Sequence, residues 1–182
     1  MPNLMVIRPA DAAETVEAWR AALLNTSGPT ALVLTRQNVP ALNREVLSPA
    51  KCLRQGGYIL KDADDGKPEI ILIGTGSEVE IALAAADKLT AAGKRVRVVS
   101  LPCWELFDCQ PASYREQVLP SDIKARVAVE AGIKLGWEHY VGTEGKIVGM
   151  ETFGASAPSP VLFEKFGITA DAVVAAAGEL LP

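Results

Sequence analysis

A guanidinium beyond the carboxyl end of a strand is the group in this sequence best suited to hold an anion. Residues 30–35 read Thr-Ala-Leu-Val-Leu-Thr, a β-prone run, and Arg36 follows directly, with Gln37 and Asn38 after it. Parallel α/β sheets take their ligands beyond the carboxyl ends of strands, and the planar fork of arginine can give a phosphate two parallel hydrogen bonds. The alternative is an ordinary surface arginine. A second candidate is Gly74-Thr75-Gly76-Ser77-Glu78-Val79, which follows an apolar strand and opens a helix. That is the setting of a dinucleotide fingerprint. Here Val79 stands where the third glycine belongs, and the next strand ends in Val99-Ser100-Leu101, with no acid for a ribose. No Gly-Lys-Ser/Thr follows, which excludes a nucleotide phosphate loop. What remains is a capped tight turn, or an anion site on the free amides of a helix N-terminus.

The other reactive side chains point to less. Glu130 ends a strand before Ala131-Gly132, where it either faces a crevice or pairs with a cation. His139 is the single histidine; it stands beside Trp137 and Tyr140 in no Ser–His–Asp order, and one histidine makes a histidine-based metal site improbable. Cys52, Cys103 and Cys109 show no C-x-x-C spacing. Asp62, Asp64, Asp65 and Gly66 loosely resemble a calcium loop but lack its closing bidentate glutamate.

The elements that must position these groups centre on residues 69–101. Ile70 to Ile73 is an unbroken apolar run, as in a strand buried on both faces. Ser77 and Glu80 have the spacing of a capping box. Val79, Ala82, Leu83, Ala86 and Leu89 make one apolar helical stripe, Gly93 is placed to end that helix with positive φ, and Val96, Val98 and Val99 begin the next strand. A crossover of this length joins parallel strands.

Before that unit, residues 4–8 read as a strand. Asp11 and Glu14 repeat the capping-box spacing, with Asp11 as the cap of a helix to about Leu24 whose apolar side is Val16, Trp19, Ala22 and Leu23. Residues 30–35 form a second strand. Two parallel strands and one helix cannot cover both faces of their own sheet. The unit must join another sheet or belong to a domain whose other strands lie outside this sequence. Residues 37–57 read as a linker and 58–61 as a short strand. After Leu101 come a helical turn at 105–109, a helix at 113–118, a strand at 126–130, a loop beginning at Ala131-Gly132, a helix at 133–140, a strand at 146–150, a helical turn at 161–166, and a final helix from Ala170 to about Leu180 capped by Thr169.

Composition sets the outer limits. The 182 residues carry a net charge of −4, with 49% apolar and 22% charged residues, enough for a sizeable core. Lysine and arginine are scattered rather than striped, so no nucleic-acid partner is expected. No apolar run reaches the ~18 residues of a membrane span. Met-Pro-Asn-Leu has neither a charged n-region nor a cleavage site, so no signal peptide is expected. Three widely spaced cysteines suit reduced thiols in a cytoplasmic protein.

Seven blocks in order then carry a family resemblance: Val6-Ile-Arg-Pro-Ala-Asp11, Gly28-Pro-Thr-Ala-Leu-Val-Leu-Thr-Arg-Gln37, Gly56-Gly-Tyr58, Gly74-Thr-Gly-Ser-Glu-Val79, Tyr114-Arg-Glu-Gln-Val-Leu-Pro120, Arg126-Val-Ala-Val-Glu-Ala-Gly132 and Phe153-Gly-Ala-Ser-Ala-Pro158. Together they closely resemble bacterial transketolase over essentially the whole sequence, although no single block would suffice.

The resemblance implies a homodimeric enzyme of the pentose phosphate pathway and Calvin cycle that uses thiamine diphosphate and Mg²⁺ (or Ca²⁺). Such an enzyme transfers a two-carbon ketol unit from a ketose phosphate to an aldose phosphate. It implies that residues 1–37 are the last βαβ unit of the pyrimidine-binding domain, 38–57 a linker and 58–182 the complete C-terminal domain. That domain would be a three-layer α/β fold on a mostly parallel five-stranded sheet. By the same resemblance Arg36 matches the arginine of the Leu-Thr/Ser-Arg-Gln motif that binds the sugar phosphate. No catalytic, cofactor-binding or metal residue carries over. The family's Gly-Asp-Gly metal motif, its pyrimidine-protonating glutamate and its channel histidines are absent, and His139 matches none of them. The chain alone is therefore expected to bind no cofactor and to be inactive. It would contribute scaffold, dimer contacts and a phosphate arginine to a partner N-terminal region and a second subunit. The competing expectation is an independent small-molecule-binding or regulatory α/β module that uses residues 74–77.

Overall fold

The computed structural model describes residues 2–181. Its centre is the strand β4 (Ile70–Gly74), the helix α2 (Glu78–Ala91) and the strand β5 (Val96–Ser100). β4 is buried at every residue and pairs in parallel with β5, Ile70 opposite Val96 and Gly74 opposite Ser100. Gly93 ends α2 at φ +81°; its amide donates to the Thr90 carbonyl at 2.9 Å and that of Lys94 to Leu89 at 3.0 Å. These are the two bonds of a Schellman stop. The start of α2 departs from the expected capping box. Ser77 is already helical (φ −60°, ψ −23°), so its hydroxyl is not aimed at the N3 amide, and it donates to Glu78 Oε1 at 2.6 Å instead. The amides of Glu78 and Val79 bond the carbonyls of Thr75 and Gly76.

The sheet built on this unit runs β3-β5-β4-β6-β7, with β3 (Tyr58–Lys61) antiparallel to β5 and with β6 (Arg126–Ile133) and β7 (Lys146–Met150) parallel to β4. Alternate residues feed two cores. Ile70, Leu72, Val98, Val127 and Val129 pack under α2 and α7 (Ala170–Gly178). Ile71, Ile73, Val99, Leu101 and Ala128 pack with Phe107 of α3 (Trp104–Asp108), Val118 of α4 (Ala112–Val118), Tyr140 of α5 (Glu138–Val141) and Trp137, the residue that precedes α5. The result is the expected three-layer, mostly parallel five-stranded architecture. α6 (Ser159–Lys165) precedes α7, whose Thr169 hydroxyl accepts the Ala172 amide at 3.2 Å.

Two boundaries near Glu130 differ from the sequence reading. β6 continues through Ala131 and Gly132 to Ile133, with its register against β7 shifting between Glu130 and Ile133. A bulge of this kind absorbs extra residues without ending a strand, so the glycine does not open a loop. The helix expected over 133–140 is confined to Glu138–Val141, because Gly136 at φ +91° interrupts the run.

The N-terminal unit comprises β1 (Met5–Ile7), α1 (Ala12–Leu24) and β2 (Thr30–Leu32). Its strands pair in parallel with each other and stand apart from the larger sheet. β2 is shorter than the expected 30–35, since pairing ends with the Val33 amide on the Ile7 carbonyl. Asp11 caps α1 as expected, accepting the Glu14 amide at 2.8 Å, while the Glu14 carboxylate reaches back to the Ala10 amide at 2.8 Å. The expected apolar stripe of α1 faces outward instead: Val16, Trp19 and Leu23 are 60%, 55% and 77% exposed. α1 is held from the side of Glu14 and Ala18, against which the following segment packs. That segment, read as a linker, contains the 3-10 helix Ala50–Gln55, whose Leu53 is buried with Ile7, Ala18 and Cys103. Among the described residues no helix is long and apolar enough to cross a membrane.

Candidate functional site

Arg36 lies on an exposed turn beyond the end of β2, not directly on the strand as the sequence suggested. Thr35 Oγ1 donates to the Gln37 carbonyl at 3.0 Å and tightens the turn. Among the described residues Arg36 has no carboxylate or other hydrogen-bonding partner. Beside it opens a cleft of about 500 Å³ walled by Pro9, Asp11, Thr15, Leu34, Thr35, Gln37 and Asn38. Gln37, the next residue, reaches the α2 side: its Nε2 donates to Ser77 Oγ at 3.4 Å.

The loop at residues 74–78 meets a different group. β4 leads on to β5 at one side and β6 leads on to β7 at the other, so the carboxyl ends of β4 and β6 flank the switch point of the sheet. That crevice is filled by Arg8, a residue whose importance the sequence reading missed. Arg8 Nη2 donates to Glu78 Oε2 at 2.8 Å and Nη1 donates to both carboxylate oxygens of Glu130. The backbone is held as well: the Arg8 carbonyl accepts the Gly76 amide at 3.0 Å and its amide donates to the Pro102 carbonyl at 2.9 Å. Glu130 thus does face the crevice, and does so as an ion-pair partner. Burial pushes the Glu78 carboxyl above its ordinary range although Arg8 pulls it down. With two carboxylates in place and the amides of Gly76, Glu78 and Val79 already bonded, this loop is unsuited to an anion. The local signal for Arg8 was its place, a charge between an apolar strand and Pro9, just as Arg36 follows β2.

A second buried polar cluster ties the N-terminal unit to the sheet. Glu14 is fully buried. Its carboxylate accepts from Tyr58 Oη, from Ser100 Oγ at 3.0 Å and from the Ala10 amide. Arg44 donates to Tyr58 Oη and Asp11 Oδ1, both at 3.0 Å, and Asp11 Oδ2 accepts the Leu42 amide at 3.1 Å. Burial pushes the Glu14 carboxyl up, and together with the neighbouring carboxylate it pushes the Tyr58 phenol up.

The remaining candidates resolve into structural contacts. His139 is exposed, 3.4 Å from Asp108 and edge-on to Tyr140. Asp62 pairs bidentately with Arg97, at 2.8 and 2.9 Å, rather than forming a calcium loop. Burial pushes the Cys103 thiol up to about 12. No group of three or more histidine, cysteine, aspartate or glutamate side chains among the described residues is arranged to hold a metal ion.

These features define an α/β protein in which a small parallel unit, bearing an arginine without a partner among the described residues, is clamped onto the switch point of a larger sheet. Residues 1–41 match the family model of the transketolase pyrimidine-binding domain and residues 56–169 that of the transketolase-like C-terminal domain. The chain belongs to the transketolase family and corresponds to its C-terminal portion. It is 54% identical over 180 residues to transketolase 1 of Vibrio vulnificus and 51% identical over 181 residues to the chloroplastic transketolase of Solanum tuberosum, covering 99% of itself in both. It spans only 27% and 24% of those relatives' lengths. Among solved structures, transketolase from Leishmania mexicana superposes with a TM-score of 0.90 at 46% identity, over 99% of this chain and 25% of that one. A chain described as a split-gene transketolase, inactive β4 tetramer, superposes with a TM-score of 0.78 at 27% identity, over 100% of this chain and 59% of that one.

Proposed function

We propose that this chain is the phosphate-gripping C-terminal part of a thiamine-diphosphate- and Mg²⁺-dependent transketolase. The observation that carries this is Arg36: a guanidinium beyond a parallel strand, beside an open cleft and without a partner among the described residues. Two of its N–H groups can hold the phosphate of a ketose or aldose phosphate, fixing the sugar at its far end while the chemistry proceeds elsewhere. The cofactor supplies the carbanion chemistry of ketol transfer, and its binding residues are assigned to the N-terminal region of the parent enzyme and to a second subunit of a homodimer in the cytoplasm. The division into residues 1–37, 38–57 and 58–182 is retained in this reading, with the middle segment serving as a packed connector. The outward apolar stripe of α1 fits a unit whose further strands are contributed by that region.

Alone, the chain is proposed to be inactive, a reading supported by the split-gene relative whose β4 assembly is described as inactive. The test joins this chain to the N-terminal region of the Vibrio vulnificus relative and compares it with the isolated chain, using xylulose 5-phosphate and ribose 5-phosphate. Turnover is expected only in the joined protein. Arg36→Ala there is expected to raise KM for both phosphorylated sugars roughly tenfold or more, the loss of a charge-assisted pair of ~1.5–3 kcal/mol. An unchanged KM overturns the assignment of Arg36, and turnover by the isolated chain overturns its inactivity.

A further inference from the structure

Arg8 and Arg36 leave the same end of the two-stranded sheet, because β1 and β2 are parallel and each arginine follows its strand. One has no partner among the described residues. The other is held by two carboxylates and two backbone hydrogen bonds in the switch-point crevice of the larger sheet. A line of contacts leads from that crevice to the Arg36 turn. Glu78, fixed by Arg8 through Oε2, accepts the Ser77 hydroxyl at Oε1 (2.6 Å), and Ser77 Oγ accepts Gln37 Nε2 (3.4 Å), next to Arg36. With its single proton given to Glu78, the Ser77 hydroxyl has only lone pairs left toward Gln37. The orientation of each group is thus set by the one before it.

We propose that Arg8 is a positioning residue: by occupying the switch-point crevice it orients Glu78 and Ser77, and through Gln37 they hold the turn that presents Arg36 to a sugar phosphate. The crevice that in other doubly wound sheets receives a ligand is used here as a socket for a guanidinium from the same chain. Lysine cannot replace it, because a point-charge ammonium does not bridge two carboxylates in the planar fork geometry. This inference rests on the assignment of Arg36 to the phosphate.

The test titrates ribose 5-phosphate into the 182-residue chain and follows binding by calorimetry and by the backbone amide NMR signals of residues 35–38, with ribose as the control lacking phosphate. Gln37→Ala and Ser77→Ala are the primary variants, since neither removes a buried charge. Each is expected to weaken binding roughly fivefold, about one neutral hydrogen bond or ~1 kcal/mol, with thermal stability close to the parent. Ser77→Thr keeps the hydroxyl and is expected to restore affinity. The Gln37→Ala/Ser77→Ala double variant is expected to lose no more than either single one, because both cut the same line. Arg8→Ala is expected to give a similar loss that methylguanidinium repairs and sodium chloride at equal ionic strength does not. If Arg8→Ala does not fold, the two primary variants decide. Parent-like binding by Gln37→Ala and Ser77→Ala, or additive losses in their double variant, overturns the relay. Parent-like binding by Arg36→Ala instead overturns the phosphate assignment beneath it, so the two failures are distinct.

Discussion

Tyr58, the first residue of the five-stranded sheet, donates its phenolic hydrogen bond to Glu14, on the first turn of α1 in the N-terminal unit. This bond crosses between the two sheets in a region closed to water, where a missing partner is costly. Tyr58→Phe removes one donor to Glu14 and one acceptor from Arg44. The expected loss is about 1–3 kcal/mol of unfolding free energy, read from urea denaturation. Amide exchange at residues 5–7 is expected to rise, since the seam opens before the larger sheet does.

The same pair gives a pH dependence. Burial holds the Glu14 carboxyl above 4.5 in the folded chain, against the pull of Tyr58, Ala10, Ser100 and Arg44. A carboxyl with a raised folded pKa binds its proton more tightly when folded than when unfolded. Its contribution is therefore full below the ordinary carboxyl pKa and is lost as pH rises through the folded value. The Tm of the parent minus that of Glu14→Gln is expected to fall as the pH is raised above the ordinary carboxyl pKa. A difference that stays flat or grows with pH would show that Glu14 is not held this way.

Gly56→Ala tests the connector. Gly56 sits at φ +80°, and a Cβ there would lie 2.2 Å from the Phe107 amide nitrogen and 2.4 Å from the Cys103 carbonyl oxygen. Both are backbone atoms at the start of α3 and cannot rotate away. Left-handed strain and overpacking together are expected to cost about 2–5 kcal/mol. Gly66→Ala, also at positive φ but with nothing near its Cβ, is expected to bear only the conformational part. Equal losses in the two variants would refute the clash.

The three thiols are expected to separate in a titration with a disulfide reagent near pH 8. Cys109 is exposed and reacts first; Cys52 is half-buried and slower, its thiol pushed up by burial. Cys103 is buried with a thiol raised to about 12, so it reacts only after denaturation. Early reaction at Cys103 would mean that the seam between the sheets opens readily.

Local pattern carried much of the framework. The apolar run of β4 and the glycine at 93 fix a buried strand and a helix stop from neighbouring residues alone, and both stand where the sequence put them. Asp11 and Thr169 cap their helices because a cap needs only an oxygen within reach of an amide three residues on. Ser77 has the same spacing and fails, because the turn before it is already helical and a buried carboxylate next to it takes the hydroxyl. The stripe on α1 is equally periodic and equally misleading: periodicity shows which residues share a face, not whether anything covers it.

The sequence by itself determined the fold class and the family, and it set Arg36 past the end of a strand, where a phosphate contact is proposed. Each of these rests on residues close together in the chain, or on blocks in a fixed order. Only the tertiary structure decided what the second arginine does. Arg8 is 70 residues from Glu78 and 122 from Glu130, and no local rule brings such groups together. Glu14 reads as half of a capping box until Tyr58 and Ser100, from two strands of another sheet, close over it. Charge pairing and burial depend on where the chain returns in space, and that is fixed only when both cores have packed.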